Sequence, residues 1–216
     1  LSSFTGDLNE ELAKWIITAR DTGDVYDATK LIELLEKDNS AAAVELLESK
    51  KYFNLAYNWI IGSDSWSYDV GLSTFHSVLK SDSKRVKLLI VDSDASINSK
   101  QGKKNLGLYA MNYKKTYVAS IAVYSSYTQA LSSFIEANRY AGGASVVLAY
   151  MPKSDNYLDL LKDTKKAVDT GYWPLYRFNP ILANDEDTFT LDSSAIKKEL
   201  QAFLDRESKL SLLVSK

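Results

Sequence analysis

The chain has 216 residues, 45% apolar and 25% charged. That is the balance of an ordinary globular protein and excludes a disordered tail or a fibrous repeat. Its 26 Lys and Arg stand against 28 Asp and Glu, a net charge of −2, so no electrostatic case for nucleic acid exists. No cysteine occurs, which removes disulfides, Cys-ligated zinc and iron–sulfur clusters from these residues. The longest uncharged apolar stretches, 117–124 and 144–151, are far shorter than a bilayer span. With no Asn-x-Ser/Thr acceptor and no signal-like opening, a soluble, cytoplasmic protein without a membrane partner is expected. The chain opens at Leu1 and stops at Ser215-Lys216 with no change in composition; the expectation is an excised piece of a longer polypeptide.

Residues 7–50 read as helical. Leu8, Leu12, Trp15 and Ile16 share a face, followed by Leu31, Ile32, Leu34 and Leu35, then Ala43, Leu46 and Leu47, with Asp7 and Ser40 as N-caps of the first and third segments. Strand-like apolar runs follow at 57–61, 86–91, 117–123 and 145–150. Between them lie amphipathic stretches carrying Val70, Phe75, Val78 and Leu79, a short one over about 105–113, and one with Leu131, Phe134, Ile135 and Ala137 that stops at Ala141-Gly142-Gly143. Two more helices are expected over about 157–170 and 193–206, flanking Gly171-Tyr-Trp-Pro-Leu-Tyr-Arg-Phe-Asn-Pro180, and residues 183–188 read as an exposed loop. Strands apolar on both faces and alternating with helices predict an α/β fold, a parallel sheet covered by helices on both faces. The expected organisation is a single domain over 1–216, with a helical part over 1–50 and an α/β core over 51–216.

In such a sheet, ligands bind beyond the carboxyl ends of the strands. Two such ends stand out: Ile61-Gly-Ser-Asp-Ser-Trp-Ser-Tyr-Asp-Val-Gly71 and Val91-Asp-Ser-Asp-Ala-Ser-Ile-Asn98. They offer Asp64, Ser93 and Asn98 as hard oxygen donors suited to Mg²⁺ beside a phosphate, and the helix after Asp64 adds its N-terminal field. The same residue types also serve as turn-formers and caps, and that structural reading stands beside the functional one.

The segment Gly62-Ser-Asp-Ser-Trp-Ser-Tyr-Asp-Val-Gly71 resembles the thiamine-diphosphate motif of the pyruvate:ferredoxin oxidoreductase family, Gly-Asp-Gly-Trp-Ala-Tyr-Asp-Ile-Gly. Similar segments follow in order: Leu89-Ile-Val-Asp-Ser-Asp94, Lys104 to Tyr113, Tyr117-Val-Ala-Ser120, Gln129 to Tyr140, Val147 to Pro152 and Ala167 to Pro180. The likeness covers about 50–206 and implies the thiamine-diphosphate-binding fold. It implies that Asp64, Ser93, the Ala95 carbonyl and Asn98 correspond to Mg²⁺ ligands, with Ser65 beside the diphosphate. The chain departs from the pattern where Ser65 replaces a glycine and Ser99-Lys100-Gln101 replaces a Gly-Gly; the family's cluster-binding cysteines and activating glutamate are absent from it.

This mixture, with Gly107-Leu-Tyr-Ala-Met-Asn-Tyr113, Ser120 to Gln129, Leu191-Asp-Ser-Ser194 and Phe203 to Glu207, resembles the branch of the family carried within the β subunit (haemoprotein) of fungal assimilatory NADPH sulfite reductases. The resemblance implies a parent that reduces sulfite to sulfide for cysteine biosynthesis in sulfate assimilation. It implies sirohaem, a 4Fe-4S cluster and FMN on other domains of that parent, with FAD and NADPH on a partner α subunit (flavoprotein), and a neighbouring flavodoxin-like domain. Two functions are therefore carried forward. In one, the segment is a non-catalytic structural and interaction domain that binds no cofactor, its diphosphate site vestigial. In the other it holds thiamine diphosphate and Mg²⁺, as in a 2-oxoacid oxidoreductase.

Other residues have plainer readings. His76, the single histidine, is expected on a helix surface without a catalytic role. Asp69 reads as a helix-start acid complementing the dipole. Lysines 100, 103, 104, 114 and 115 read as a solvated face, with docking of a flavin domain or a phosphate as the rival. The aromatic block 171–180 reads as packing; exposure of Trp173 and Tyr176 would favour a docking platform for the α subunit or a second copy.

Overall fold

The computed structural model describes residues 4–22, 24–67, 69–81, 83–93, 104–154, 156–182, 188–193 and 195–204. The chain divides into two compact units, Leu1–Asn58 and Trp59–Lys216.

The first unit contains α1 (Gly6–Ile17), α2 (Thr29–Lys37) and α3 (Ala41–Glu48). Their apolar faces converge through Leu8, Leu12, Leu31, Leu35 and Ala43, closed by Tyr26 and Phe53. Tyr26 and Leu55 exchange backbone hydrogen bonds of 2.9 and 3.0 Å. Ser40 caps α3 as expected, its side chain accepting from the Ala43 amide. Asp7 does not cap α1: the helix starts two residues earlier, with Thr5 at the cap position, and Asp7 lies inside the first turn. There its charge meets the positive end of the helix dipole.

The second unit is the α/β sheet: β1 (Asn58–Ser63), α4 (Asp69–Lys80), β2 (Val86–Asp92), α5 (Leu106–Met111), β3 (Tyr117–Ile121), α6 (Tyr127–Arg139), β4 (Ser145–Tyr150), α7 (Tyr157–Asp169), β5 (Tyr176–Phe178), β6 (Phe189–Leu191) and a last turn, α8 (Gln201–Leu204). The strand order is β1-β2-β4-β3-β5-β6. β4 pairs in parallel with both β2 and β3, while β5 and β6 extend the sheet antiparallel beyond β3. Every residue of β3 and β4 is buried, as a strand covered on both faces requires.

One face of the sheet carries Leu88, Ile90, Val118, Val146 and Leu148 against Phe75 and Leu79 of α4 and Leu106 and Ala110 of α5. The other carries Tyr117, Ala119, Ile121, Val147 and Ala149 against Ala130 and Ala137 of α6. Helices thus cover both faces. Asn105, Ser126 and Asn156 cap α5, α6 and α7 with side-chain oxygens on the Leu108, Gln129 and Leu158 amides. The stop after α6 has a steric reason besides turn chemistry. A Cβ on Gly143 would meet the Lys115 carbonyl oxygen at 2.5 Å.

The antiparallel extension was not legible in the apolar pattern, and a network of charges fixes it. Arg177 on β5 holds Asp192 in two parallel bonds of 3.0 and 2.9 Å and also donates to Glu136 of α6. Glu136 in turn accepts from the Tyr117 hydroxyl at 2.9 Å. The helix expected over about 193–206 does not form as read. Within the described residues, 195–200 are irregular and only Gln201–Leu204 is helical. The Lys197 and Lys198 amides instead donate to the Asp169 carbonyl at 2.7 and 3.1 Å, so that backbone is committed to the end of α7. Of the loop expected at 183–188, all but Thr188 lies outside the described residues.

Candidate functional site

β1 runs through Gly62 and Ser63 into a single 3-10 turn, Asp64–Ser67, before α4 begins at Asp69. Asp64 and Ser67 are buried in this turn, whereas Ser65 is exposed and shares a 2.8 Å hydroxyl–hydroxyl bond with Ser63. At the second tip, β2 ends on a buried Asp92 and a half-buried Ser93. The Asp92 and Ser93 carbonyls accept from the Met151 and Lys153 amides at 2.8 and 3.3 Å, tying this tip to the loop after β4. Ala95 and Asn98, and with them Lys100 and Lys103, lie outside the described residues.

The two tips open onto one cavity of about 330 Å³, at the small end of ligand-site size. Ser67 comes from the first tip and Asp92 from the second. Lys104 and Asn105 enter at the start of α5, and the Lys104 amide donates to the Ser67 carbonyl at 3.2 Å. Ile90, Leu148 and Ser120 form the floor on the sheet, and Tyr172, Trp173, Pro174 and Tyr176 form the far wall. The location is the one expected from topology, beyond the carboxyl ends of parallel strands.

Asp64 and Ser93 stand beside the cavity in sequence, but their neighbours Ser67 and Asp92 line it. The reason is parity. Ile90 and Asp92 are two apart on β2 and share a face, so the side chain before Ser93 is the one presented. Asp92, Ser67 and Asn105 are not among the residues that the sequence marks for the site, whereas Lys104 belongs to the lysine group read with phosphate docking as its rival; the period of two along 86–92 is the signal available for Asp92.

The aromatic block is neither an exposed platform nor fully buried. Trp173 and Tyr176 are both half-buried. The Trp173 indole donates to the Ile121 carbonyl at 3.1 Å and stacks on Tyr150 with ring centroids 5.0 Å apart. Tyr176 stacks on Phe189 of β6 at 5.5 Å. Burial pushes the Tyr176 phenol up to about 12, so it remains a neutral hydroxyl group at physiological pH. It rests over Gly107 of α5, where a Cβ would overlap its hydroxyl oxygen.

His76 is half-buried on α4. Its Nδ1 is hydrogen-bonded to the Tyr109 hydroxyl at 2.7 Å and to that of Tyr113. Lys104, Lys114 and Lys115 are exposed, and Lys104 also lines the cavity.

The described lining offers one carboxylate, one ammonium, one carboxamide and two serine hydroxyl groups, against an aromatic wall that carries two tyrosines. That chemistry fits a small polar or zwitterionic head beside a planar ring. It also fits part of a Mg²⁺–diphosphate site, with Asp64 and Ser93 alongside. Among the described residues, no group of three or more His, Asp or Glu side chains is placed to hold a metal ion. No helix among them is long and apolar enough to cross a membrane.

No family profile matches this chain. Individual relatives do. The chain is 44% identical over its whole length to sulfite reductase (NADPH) subunit beta of Saccharomyces cerevisiae, and 44% identical over 98% of its length to the protein of that name in Schizosaccharomyces pombe. It is 34% identical over 74% of its length to pyruvate:ferredoxin oxidoreductase of Moorella thermoacetica. It spans only 16%, 15% and 16% of these relatives. The chain is thus similar to one pyruvate:ferredoxin-oxidoreductase-like segment within much longer polypeptides, and the resemblance drawn from its motifs holds along the chain.

Proposed function

We propose that this chain is a non-catalytic structural and interaction domain of a sulfite reductase β-type polypeptide. In this reading the thiamine-diphosphate fold persists as a scaffold, and the parent reduces sulfite to sulfide for cysteine biosynthesis in the cytoplasm. Sirohaem, the 4Fe-4S cluster and FMN belong to other domains, FAD and NADPH to an α subunit, and this segment helps assemble them. The observation that carries the reading is the gradient of similarity: 44% over the whole chain to sulfite reductase β subunits against 34% over 74% to a pyruvate enzyme. Ser65, which stands where the motif has glycine, supports it, because a side chain now occupies backbone that would otherwise approach a diphosphate. Isothermal titration of the chain with thiamine diphosphate and Mg²⁺ is expected to give no saturable heat. Saturable binding in the micromolar range would overturn the reading.

A second reading is favoured by the shared cavity. Ser67 and Asp92 bring the two tips together at one opening, as a thiamine-diphosphate domain of a 2-oxoacid oxidoreductase would need. Asp64, Ser93, the Ala95 carbonyl and Asn98 would then hold Mg²⁺ and the diphosphate, and Ser65 would lie against it. The cofactor, when bound, supplies the carbanion-stabilising chemistry that protein side chains lack. Under this reading Asp64→Ala abolishes the titration heat while leaving the far-UV circular dichroism unchanged.

A further inference from the structure

One cluster of polar side chains lies outside the cavity. His76 of α4 meets two tyrosines, Tyr109 within α5 and Tyr113 in the turn that follows it. Its Nδ1 lies 2.7 Å from the Tyr109 hydroxyl and in contact with that of Tyr113, and the two hydroxyls are 3.4 Å apart. All three side chains are half-buried, and none lines the cavity. Protons do not account for this convergence. Nδ1 carries one lone pair or one proton, and so forms one strong hydrogen bond where two hydroxyls meet it. At 3.4 Å the hydroxyls are also too far apart for a good bond to each other. The backbone is committed to the arrangement. The Tyr113 amide donates to the Ala110 carbonyl at 3.1 Å, and Lys114 beside it holds a left-handed φ of 52°, strain of a kind that persists only where the surrounding structure enforces it.

We propose that His76, Tyr109 and Tyr113 form a mononuclear site for ferric iron, His76 binding through Nδ1 and both tyrosines as phenolates. Metal–ligand bonds of ~2.0–2.1 Å meeting at right angles set neighbouring donor atoms ~2.9 Å apart. The separations of 2.7 and 3.4 Å bracket that edge. The three groups thus supply one face of an octahedron, and their remaining exposure leaves the other positions to water or a small anion. The donor set selects the metal. Imidazole suits iron, copper and zinc alike, but a phenol keeps its proton up to about pH 10. A hard trivalent cation displaces that proton at neutral pH far more readily than a divalent one does. Loading releases two protons to solvent, and the two phenolates leave the bound ion with a single net positive charge. Among the described residues no charged side chain is bonded to the three, so the phenolates alone carry that neutralisation. The site is independent of whatever the cavity holds.

Titration of the chain with ferric nitrilotriacetate, followed by visible absorption, tests this. A phenolate bound to ferric iron is coloured, because the ring transfers charge to the metal. The expected result is a visible band that saturates at one equivalent of iron. Tyr113→Phe keeps the ring and weakens loading at least ~10-fold, and the variant carrying both Tyr109→Phe and Tyr113→Phe shows no band. Tyr127→Phe, at a tyrosine 63% exposed on α6, leaves the band unchanged. Far-UV circular dichroism checks that each variant is folded. A colourless titration of the unaltered chain would overturn the proposal. So would a band that survives in the double variant, that Tyr127→Phe removes equally, or that an equal concentration of Zn²⁺ displaces.

Discussion

Replacing Lys87 by methionine should stabilise the sheet unit and remove most of its pH dependence just above neutrality. Lys87 lies on β2 opposite Ser145 and is fully buried. Its ammonium donates to the Tyr140 carbonyl at 3.0 Å and the Ser145 hydroxyl at 3.1 Å, and that hydroxyl donates to the Ala137 carbonyl. The positive charge thus sits at the C-terminal end of α6, where carbonyl oxygens collect. Desolvation still dominates and pushes the group down to about 8 from 10.5. At ~1.4 kcal/mol per tenfold change in proton affinity, keeping the charge in the fold costs ~3 kcal/mol.

Because the folded value lies below the unfolded one, the cost is present in full below about pH 8. It fades between about 8 and 10.5, as the folded state sheds its proton while the unfolded chain retains it. Stability should therefore rise by ~2 kcal/mol between pH 7 and about pH 9.5. The buried phenols of Tyr117, Tyr140 and Tyr176, all pushed up by burial, act in the opposite sense above pH 10. Lys87→Met leaves two acceptors short of a donor, so the net gain at pH 7 is ~1–2 kcal/mol. Urea unfolding is followed by tryptophan fluorescence in a Trp15→Phe background, which leaves Trp59, Trp66 and Trp173, all in the sheet unit, as reporters. Parallel stability-against-pH curves for the two proteins would refute the reasoning.

Two further outcomes follow from individual contacts. Gly107→Ala should destabilise by ~1–3 kcal/mol despite alanine's better helix propensity, because the added Cβ overlaps the Tyr176 hydroxyl. Adding Tyr176→Phe should restore most of the loss in thermal denaturation, whereas a second loss on top of the first would refute the contact. In the helical unit, the Tyr26 hydroxyl donates to Glu11 at 2.7 Å and holds that carboxyl below its ordinary 4.5. Its contribution is present above about pH 4.5 and drains away as the pH falls through the folded value. Glu11→Gln should blunt this acid sensitivity, read as a shallower fall of the melting temperature below pH 4.5.

The α/β class, all four long strands and most helices were legible in the sequence, because their hydrophobic periods are local and uninterrupted. The cap at Ser40 was legible for the same reason, and so was the stop read at Ala141-Gly142-Gly143, within two residues of where α6 ends at Arg139. The short strands Tyr176–Phe178 and Phe189–Leu191 were not. Three residues carry too little period to read, and the tie that holds them, the Arg177 guanidinium between the carboxylates of Asp192 and Glu136, joins residues far apart in sequence. The helix expected over 193–206 failed likewise, its backbone taken by Asp169.

The candidate site divides along the same line. Sequence placed it at two strand tips, since glycine, serine and aspartate after an apolar run mark a strand turning into a helix. Which side chains enter the cavity is a matter of strand parity and of loops that meet only when folded; hence Ser67 and Asp92 line it beside Asp64 and Ser93. Helix α6 shows the division most sharply. Leu131 and Ile135 read with Phe134 and Ala137 as the apolar face of one amphipathic helix, because sequence treats every apolar residue as a candidate for the core. Only the packed sheet, already satisfied by Ala130 and Ala137, leaves Tyr127, Leu131 and Ile135 facing water.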